Sequence, residues 1–352
     1  MKNYFNPAIA AMAGYVPGEQ PKIANLIKLN TNENPYPPSP KVVEAMQKFD
    51  YGRLRRYPDP MFDALRDAVA KRNGVKRENV VCGNGSDDIL TMTFRAFTSP
   101  ENPLACLWPT YSLYNILAEM QSAPVKHVLL DKETFAFPEN ALEQAKGANL
   151  FIITRPNAPT GNMVEKSIVR EICAKFDGVV MFDEAYADFA DDNCMDLAKE
   201  FDNVLVSRTF SKSYSLAGIR MGYAVGHADL IDGLLKLKDS YNVDMIDQVV
   251  SLAAYEDEAY LLENCNKVRQ FRSEMTAELR KIGFNVVESQ ANFLFAAPPD
   301  NDGEGFFRYL RENAVLVRYF KGDITGKYVR ITLGTPEENA RVLELAQQRY
   351  GK

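Results

Sequence analysis

Short, wholly apolar runs alternate along this chain with amphipathic stretches, and no other feature limits its fold as tightly. Val80 to Cys82, Leu104 to Leu107, Leu150 to Thr154, Val179 to Phe182, Val204 to Ser207 and Tyr223 to Val225 read as strands buried on both faces. Each run ends in a polar or Gly-rich turn. Strands separated by helical stretches imply parallel pairing, since a parallel neighbour is reached only through a long crossover. The expectation is an α/β fold with helices covering a sheet.

The pattern changes near Leu261. Apolar Cys265, Val268, Phe271, Met275, Leu279 and Ile282 then recur every three or four residues, which predicts one long helix with a buried face. Two strands follow (Phe284 to Val287 and Asn292 to Ala296), then a helix, a strand ending near Tyr319, the strand Tyr328 to Leu333, and a helix opened by Pro336. With 352 residues the chain is long enough for about two cores. The division expected is an arm over 1–30, a large α/β domain over 31–255 and a smaller α+β domain over 256–352. Asn34 to Pro40 (NPYPPSP) should be an extended crossing segment, because each proline lacks an amide donor and restrains its predecessor.

Several functions are excluded early. A formal net charge of -6 repels a phosphate backbone, which argues against nucleic acid as partner. No uncharged apolar run approaches the roughly 20 residues of a spanning helix. The apolar stretch Pro7 to Val16 has a single basic residue, Lys2, ahead of it and is a poor secretion signal. Five cysteines form no CxxC pair and leave an odd number, so a reducing, cytoplasmic setting is expected. Only two histidines exist, His127 and His227, neither at ligand spacing, which leaves little material for a zinc site or a Ser/His triad. No metal is expected.

The remaining chemistry gathers at strand ends. Gly83 to Asp88 (GNGSDD) joins a strand to a helix expected to open at Asp88, a geometry that aims backbone amides and a helix dipole at one spot where a phosphate could sit; a plain helix cap by Ser86 or Asp87 is the alternative. Val179 to Phe182 runs into Asp183 and Glu184, placing a carboxylate at the edge where open parallel sheets bind ligands. Val204 to Ser207 leads into Arg208, Thr209, Ser211, Lys212 and Ser213, then Gly218 and Arg220, a hydroxyl-rich anion cradle around one lysine. A lysine near cations or desolvating walls gives up its proton more easily and becomes a nucleophile. Pyridoxal phosphate would use all of these parts: an amine for its aldehyde, a carboxylate for its ring nitrogen and a cradle for its phosphate. Asn157 and Tyr186 are candidates for its ring oxygen, and Tyr111 for lying flat against the ring.

Across nearly its whole length the sequence resembles the fold-type-I pyridoxal-phosphate aminotransferases. The blocks that carry the likeness are LNTNENPYPPSP, RRYPDP, GNGSDD, WPTYSLY, TRPNAPTGN, FDEAYADF, RTFSKSYSLAGIRMGY, YNVDMIDQ, ANFLF and YVRITLGT. The resemblance implies a large domain with a mixed, mostly parallel sheet sandwiched by helices, and a smaller α+β domain. It implies that Lys212 carries the cofactor and moves protons, that Asp183 pairs with the ring nitrogen, and that Asn157 and Tyr186 bond the ring oxygen beneath a stacked Tyr111. Gly85, Ser86 and Asp87, with Thr209, Ser211 and Arg220, would form the phosphate cradle. Tyr57 would reach the cofactor of a neighbouring subunit, which implies a homodimer. Arg330 matches the arginine used for the substrate's anionic end, and Arg318 and Tyr15 are further candidates there. Ala158 stands where many relatives have a second Asn, a departure expected to affect only neighbouring turn hydrogen bonds. The reaction implied is transamination between an amine, histidinol phosphate first, and a 2-oxo acid, 2-oxoglutarate. A threonine-phosphate decarboxylase-like lyase and an aromatic amino-acid aminotransferase are the alternatives.

Overall fold

The computed structural model describes all residues except 1–3, 6, 16, 17, 24 and 352. Val16 and Pro17 of the arm therefore lie outside the described residues. Thirteen strands are formed among the described residues: β1 (Ile27–Lys28), β2 (Val80–Asn84), β3 (Leu104–Trp108), β4 (Val125–Leu129), β5 (Leu150–Thr154), β6 (Val179–Asp183), β7 (Val204–Thr209), β8 (Met221–Gly226), β9 (Asn285–Val286), β10 (Phe293–Ala297), β11 (Val315–Leu316), β12 (Arg318–Tyr319) and β13 (Val329–Thr332).

The main sheet has seven strands in the order β2-β8-β7-β6-β5-β3-β4. Its strands split their side chains between two cores, as a period of two requires. Val80, Cys82, Phe151, Ile153, Val180 and Phe182 face one core. Val81, Leu150, Ile152, Val179 and Met181 face the other. Helices Ser86–Phe97, Leu113–Met120 and Ala228–Leu235 cover the second face, and Asp63–Asn73, Lys166–Lys175 and Met245–Tyr255 contribute to the first. This is the mixed, mostly parallel α/β sandwich expected.

One departure from parallel pairing matters for the site. β8 runs antiparallel to both of its neighbours, β2 and β7. The reason is the connection: residues 210–220 form a loop without a helix, so β8 returns beside β7. The carboxyl ends of β2, β5, β6 and β7 and the start of β8 consequently share one edge. β4 was not foreseen from the sequence; it is an edge strand and only Val128 in it is buried.

A second, antiparallel sheet has the order β12-β13-β10-β9, and the expected long helix is Glu258–Ile282. The strand expected to end near Tyr319 is split into β11 and β12. β11 pairs in parallel with β1, which ties the segment after the arm to the C-terminal part. Asn34 to Ser39 is extended and gives way to a helix at Pro40, capped by Ser39. All five cysteines are free and buried. Among the described residues no helix is long and apolar enough to cross a membrane.

At Gly222 β8 passes so close to the start of helix Ser86–Phe97 that a Cβ there would meet the Ser86 amide nitrogen at 2.5 Å. Because the neighbour is backbone, Gly222→Ala should push the helix start away and cost about 2 kcal/mol or more. Thermal unfolding of the variant checks this, and an unchanged midpoint would contradict it.

Candidate active site

At the shared carboxyl edge lies a cleft of about 420 Å³, lined by residues that include Tyr15, Ser86, Asp87, Tyr111, Asp183, Tyr186, Thr209, Ser211, Lys212, Arg220, Arg318 and Arg330. The expected catalytic group and most of the expected cradle are thus brought together.

Asp183 closes β6 and is buried at 4% exposure. Its Oδ2 accepts the Tyr114 hydroxyl at 2.6 Å. Burial raises the carboxyl from 3.8 to about 6, against the stabilising Tyr114 bond. Lys212 sits in the β7–β8 loop, and its Nζ donates to the Thr31 carbonyl at 2.8 Å. Burial lowers the amine from 10.5 to about 8, helped by Arg330 and Arg220 and opposed by Glu33 and Asp87. Two groups whose charge is disfavoured by their surroundings therefore share one cleft.

The residues expected to cradle an anion come together at the cleft, with a different helix start. The helix begins at Ser86 rather than Asp88, its N-cap is Gly85 at φ +79°, and no side chain caps it. The Ser86 and Asp87 caps are therefore not made, and the first-turn amides are left for a ligand. Asp88 instead accepts the Asn84 amide. Arg220 donates to Ser211 Oγ at 3.1 Å and to Asp87 Oδ2 at 3.2 Å, while Thr209 Oγ1 accepts the Ser211 amide at 3.1 Å. A Cβ on Gly85 would meet Arg220 Nη2 at 2.7 Å, so the cradle needs glycine there.

Tyr186 is buried, and its hydroxyl accepts Asn32 Nδ2 at 2.9 Å. Tyr111 lies on the wall, edge-on to Tyr15 and to Tyr114. Asn157 is not placed as expected. Both of its amide hydrogens are taken, by the Pro109 carbonyl at 3.0 Å and Thr160 Oγ1 at 2.7 Å, and its Oδ1 accepts Thr110 Oγ1. Ala158 lines the cleft and Asn157 does not. The Asn-to-Ala departure thus falls on the cleft wall itself, and of the expected pair for the ring oxygen only Tyr186 faces the cleft.

At the other end Arg330, from β13, donates to the Asn30 carbonyl at 2.9 Å, while its buried Nε has no hydrogen-bond partner. Arg318 and Lys321 line the same end, with Tyr15 from the arm. Tyr57 is not in this cleft; it is 78% exposed and stacks on Tyr241 with centroids 4.4 Å apart. Sequence reasoning missed Tyr114, Thr31 and Asn32. Tyr114 had a signal, its place in WPTYSLY three residues after Tyr111, one helical turn along the same face. The other two lie in an irregular segment whose contacts depend on the tertiary fold.

An amine, a buried carboxylate, an uncapped helix start and an arginine with two hydroxyls are the donor set that the cofactor expected from the sequence requires. The comparisons agree in class. The chain belongs to the aminotransferase family of class I and II, whose model matches residues 24–345, and it is an aminotransferase. A protein of Trichormus variabilis named histidinol-phosphate aminotransferase 1 is 43% identical over 340 residues, covering 96% of this chain and 97% of that one. A histidinol-phosphate aminotransferase of Geobacter sp. is 42% identical, covering 97% of each. Among solved structures, the histidinol-phosphate aminotransferase of Sinorhizobium meliloti in complex with pyridoxal-5'-phosphate has a TM-score of 0.88 at 21% identity over 99% of both chains, a likeness of fold.

Two titrations test this electrostatic arrangement. In the chain freed of cofactor, the acylation of Lys212 followed by peptide mass should have its midpoint near pH 8, and Arg330→Met should move it upward; a midpoint near 10 would contradict the burial argument. For Asp183 the folded pKa lies above the unfolded 3.8, so its contribution to stability is present below that value and lost as pH rises through about 6. Cofactor-free Asp183→Asn should therefore be more stable than wild type at pH 8, by on the order of 2–3 kcal/mol, and lose that advantage near pH 4. Thermal unfolding at the two pH values measures it.

Proposed function

We propose that this chain is a pyridoxal-phosphate-dependent aminotransferase that moves an amino group between histidinol phosphate and 2-oxoglutarate, in histidine biosynthesis. The observation that carries the reading is that Lys212 and Asp183 line one cleft together with Arg318, Lys321 and Arg330. Relatives named for this activity share more than 40% of their residues with the chain over nearly its full length. The bound group supplies electron withdrawal through a protonated ring, which makes a substrate C–H bond acidic.

The protein's part is then to bind, orient and move protons. Asp183 keeps the ring nitrogen protonated, a role its closed Tyr114 contact prepares by fixing the carboxylate. Ser86, Asp87, Thr209, Ser211 and Arg220 hold the phosphate, with Gly85 giving access to the helix start. Tyr111 packs against the ring and Tyr186 bonds its oxygen. Lys212 would hold the aldehyde and, when freed by the substrate amine, would take the proton from the substrate carbon as base and deliver it to the cofactor's carbon as acid; an amine with a lowered pKa suits both transfers. Arg330 and Arg318 take the phosphate of one substrate and a carboxylate of the other, and Tyr15 closes over them.

The active form is a homodimer in this reading. Tyr57 stacks on Tyr241 with both rings exposed, and Tyr51 and Leu54 nearby in sequence are exposed as well; a second copy would cover these residues while receiving Tyr57 at its own phosphate cradle. We place the enzyme in the cytoplasm, where its five buried thiols stay reduced.

A half-reaction screen tests the substrate. Histidinol phosphate should bleach the visible band of the loaded enzyme faster than phenylalanine or aspartate, and 2-oxoglutarate should restore it with glutamate formed. Release of carbon dioxide from a phosphorylated amino acid would contradict the reading. Lys212→Ala should lower turnover by roughly a hundredfold or more while the fold is retained.

A further inference from the structure

The ring-oxygen side of the cleft lacks the amide expected there, because Ala158 lines it and both Asn157 hydrogens are committed elsewhere. Another amide does face that place. Asn32, in the segment that crosses over Lys212, is 1% exposed, lines the cleft and donates its Nδ2 to the Tyr186 hydroxyl at 2.9 Å. We propose that Asn32 is a positioning residue for the transamination, holding the Tyr186 hydroxyl so that its hydrogen points into the cleft toward the cofactor's ring oxygen. The inference rests on the aminotransferase reading above and adds to it the residue that does the work of the absent amide.

The geometry fixes which way the amide faces. The backbone N–H of Asn32 donates to Thr332 Oγ1 at 3.0 Å, and Thr332 Oγ1 donates in turn to Asn32 Oδ1 at 3.1 Å. Turning the amide over would give the Thr332 oxygen a second N–H and leave its own hydrogen without this acceptor. The oxygen of the amide therefore belongs to Thr332 and its nitrogen to Tyr186. With one lone pair of the phenol oxygen occupied by that N–H, the phenolic hydrogen is free to donate elsewhere. Asn292 Nδ2 also donates to the Asn32 carbonyl, at 3.0 Å. Asn32 has φ +56°, a left-handed conformation that asparagine tolerates and most residues do not. With its backbone held by Thr332 and Asn292 and its side-chain oxygen by Thr332, Asn32 thus dictates a proton position at the main sheet's edge.

The test uses the loaded, full-length enzyme and reads the pH titration of the bound cofactor's visible absorbance together with the cofactor's dissociation constant. Asn32→Gly keeps the left-handed backbone and removes the amide. Asn32→Asp keeps the shape and replaces the donor by an acceptor that draws the Tyr186 hydrogen away. Both should shift the titration midpoint relative to wild type and weaken cofactor binding by roughly tenfold, with Asp the stronger. Tyr186→Phe should do the same, and adding Asn32→Gly to it should change little more, because the two act through one contact. Unshifted titrations in both Asn32 variants, or full additivity with Tyr186→Phe, would overturn the proposal. If the wild-type chain develops no visible band with pyridoxal phosphate, the aminotransferase reading fails instead.

Discussion

Burying a carboxylate and an amine at the same edge of a sheet is unfavourable for each of them until a ligand of matching charge arrives. Asp183 is pushed toward its neutral form and Lys212 toward its own, both chiefly by burial. In the proposed reading a protonated ring nitrogen would compensate the first, and an aldehyde would take the second as its nucleophile. The rest of the architecture serves to bring these two buried groups to the wall of one cleft. β6 ends at Asp183, and the helix-free loop after β7 carries Lys212 to the same edge. β8 returns antiparallel, so that Arg220 meets the start of helix Ser86–Phe97.

In the proposed reading, substrate recognition comes from a different part of the chain. Arg330 and Arg318 lie on β13 and β12 of the C-terminal sheet; the crossing segment is joined to that sheet by the Thr332 amide donating to the Leu29 carbonyl, and the residues just before it pair as β1 with β11 in a separate two-stranded sheet. The same segment reaches Lys212 twice, accepting its Nζ at Thr31 and donating from Asn34 Nδ2 to the Lys212 carbonyl. Movement of the C-terminal sheet would therefore be felt at the lysine. This couples the cations proposed to read the substrate to the amine proposed to react with it.

Much of this was legible in the sequence where a residue's role is fixed by local pattern. The six buried strands were visible because apolar runs with period two feed two cores, and the Asp183 and Lys212 positions followed from where those strands stop. β4 was not, since an edge strand has one wet face and its VKHVL pattern carries too little apolar signal. The antiparallel course of β8 was hidden in the length and composition of a loop. Asn157 shows the limit of motif reading: the residue type was right, yet backbone geometry turned its amide toward Pro109 and Thr160, and the neighbouring alanine took the wall. Asn32 is invisible in isolation because its partner, Tyr186, lies 154 residues away in the chain.

The central claim is that the amine of Lys212 and the carboxylate of Asp183 address one cofactor ring. Reduction of the loaded enzyme with borohydride, followed by peptide mass analysis, tests it most directly. The account predicts a single stable pyridoxyl adduct on the peptide carrying Lys212. An adduct on any other lysine, with Lys212 unmodified, would contradict it.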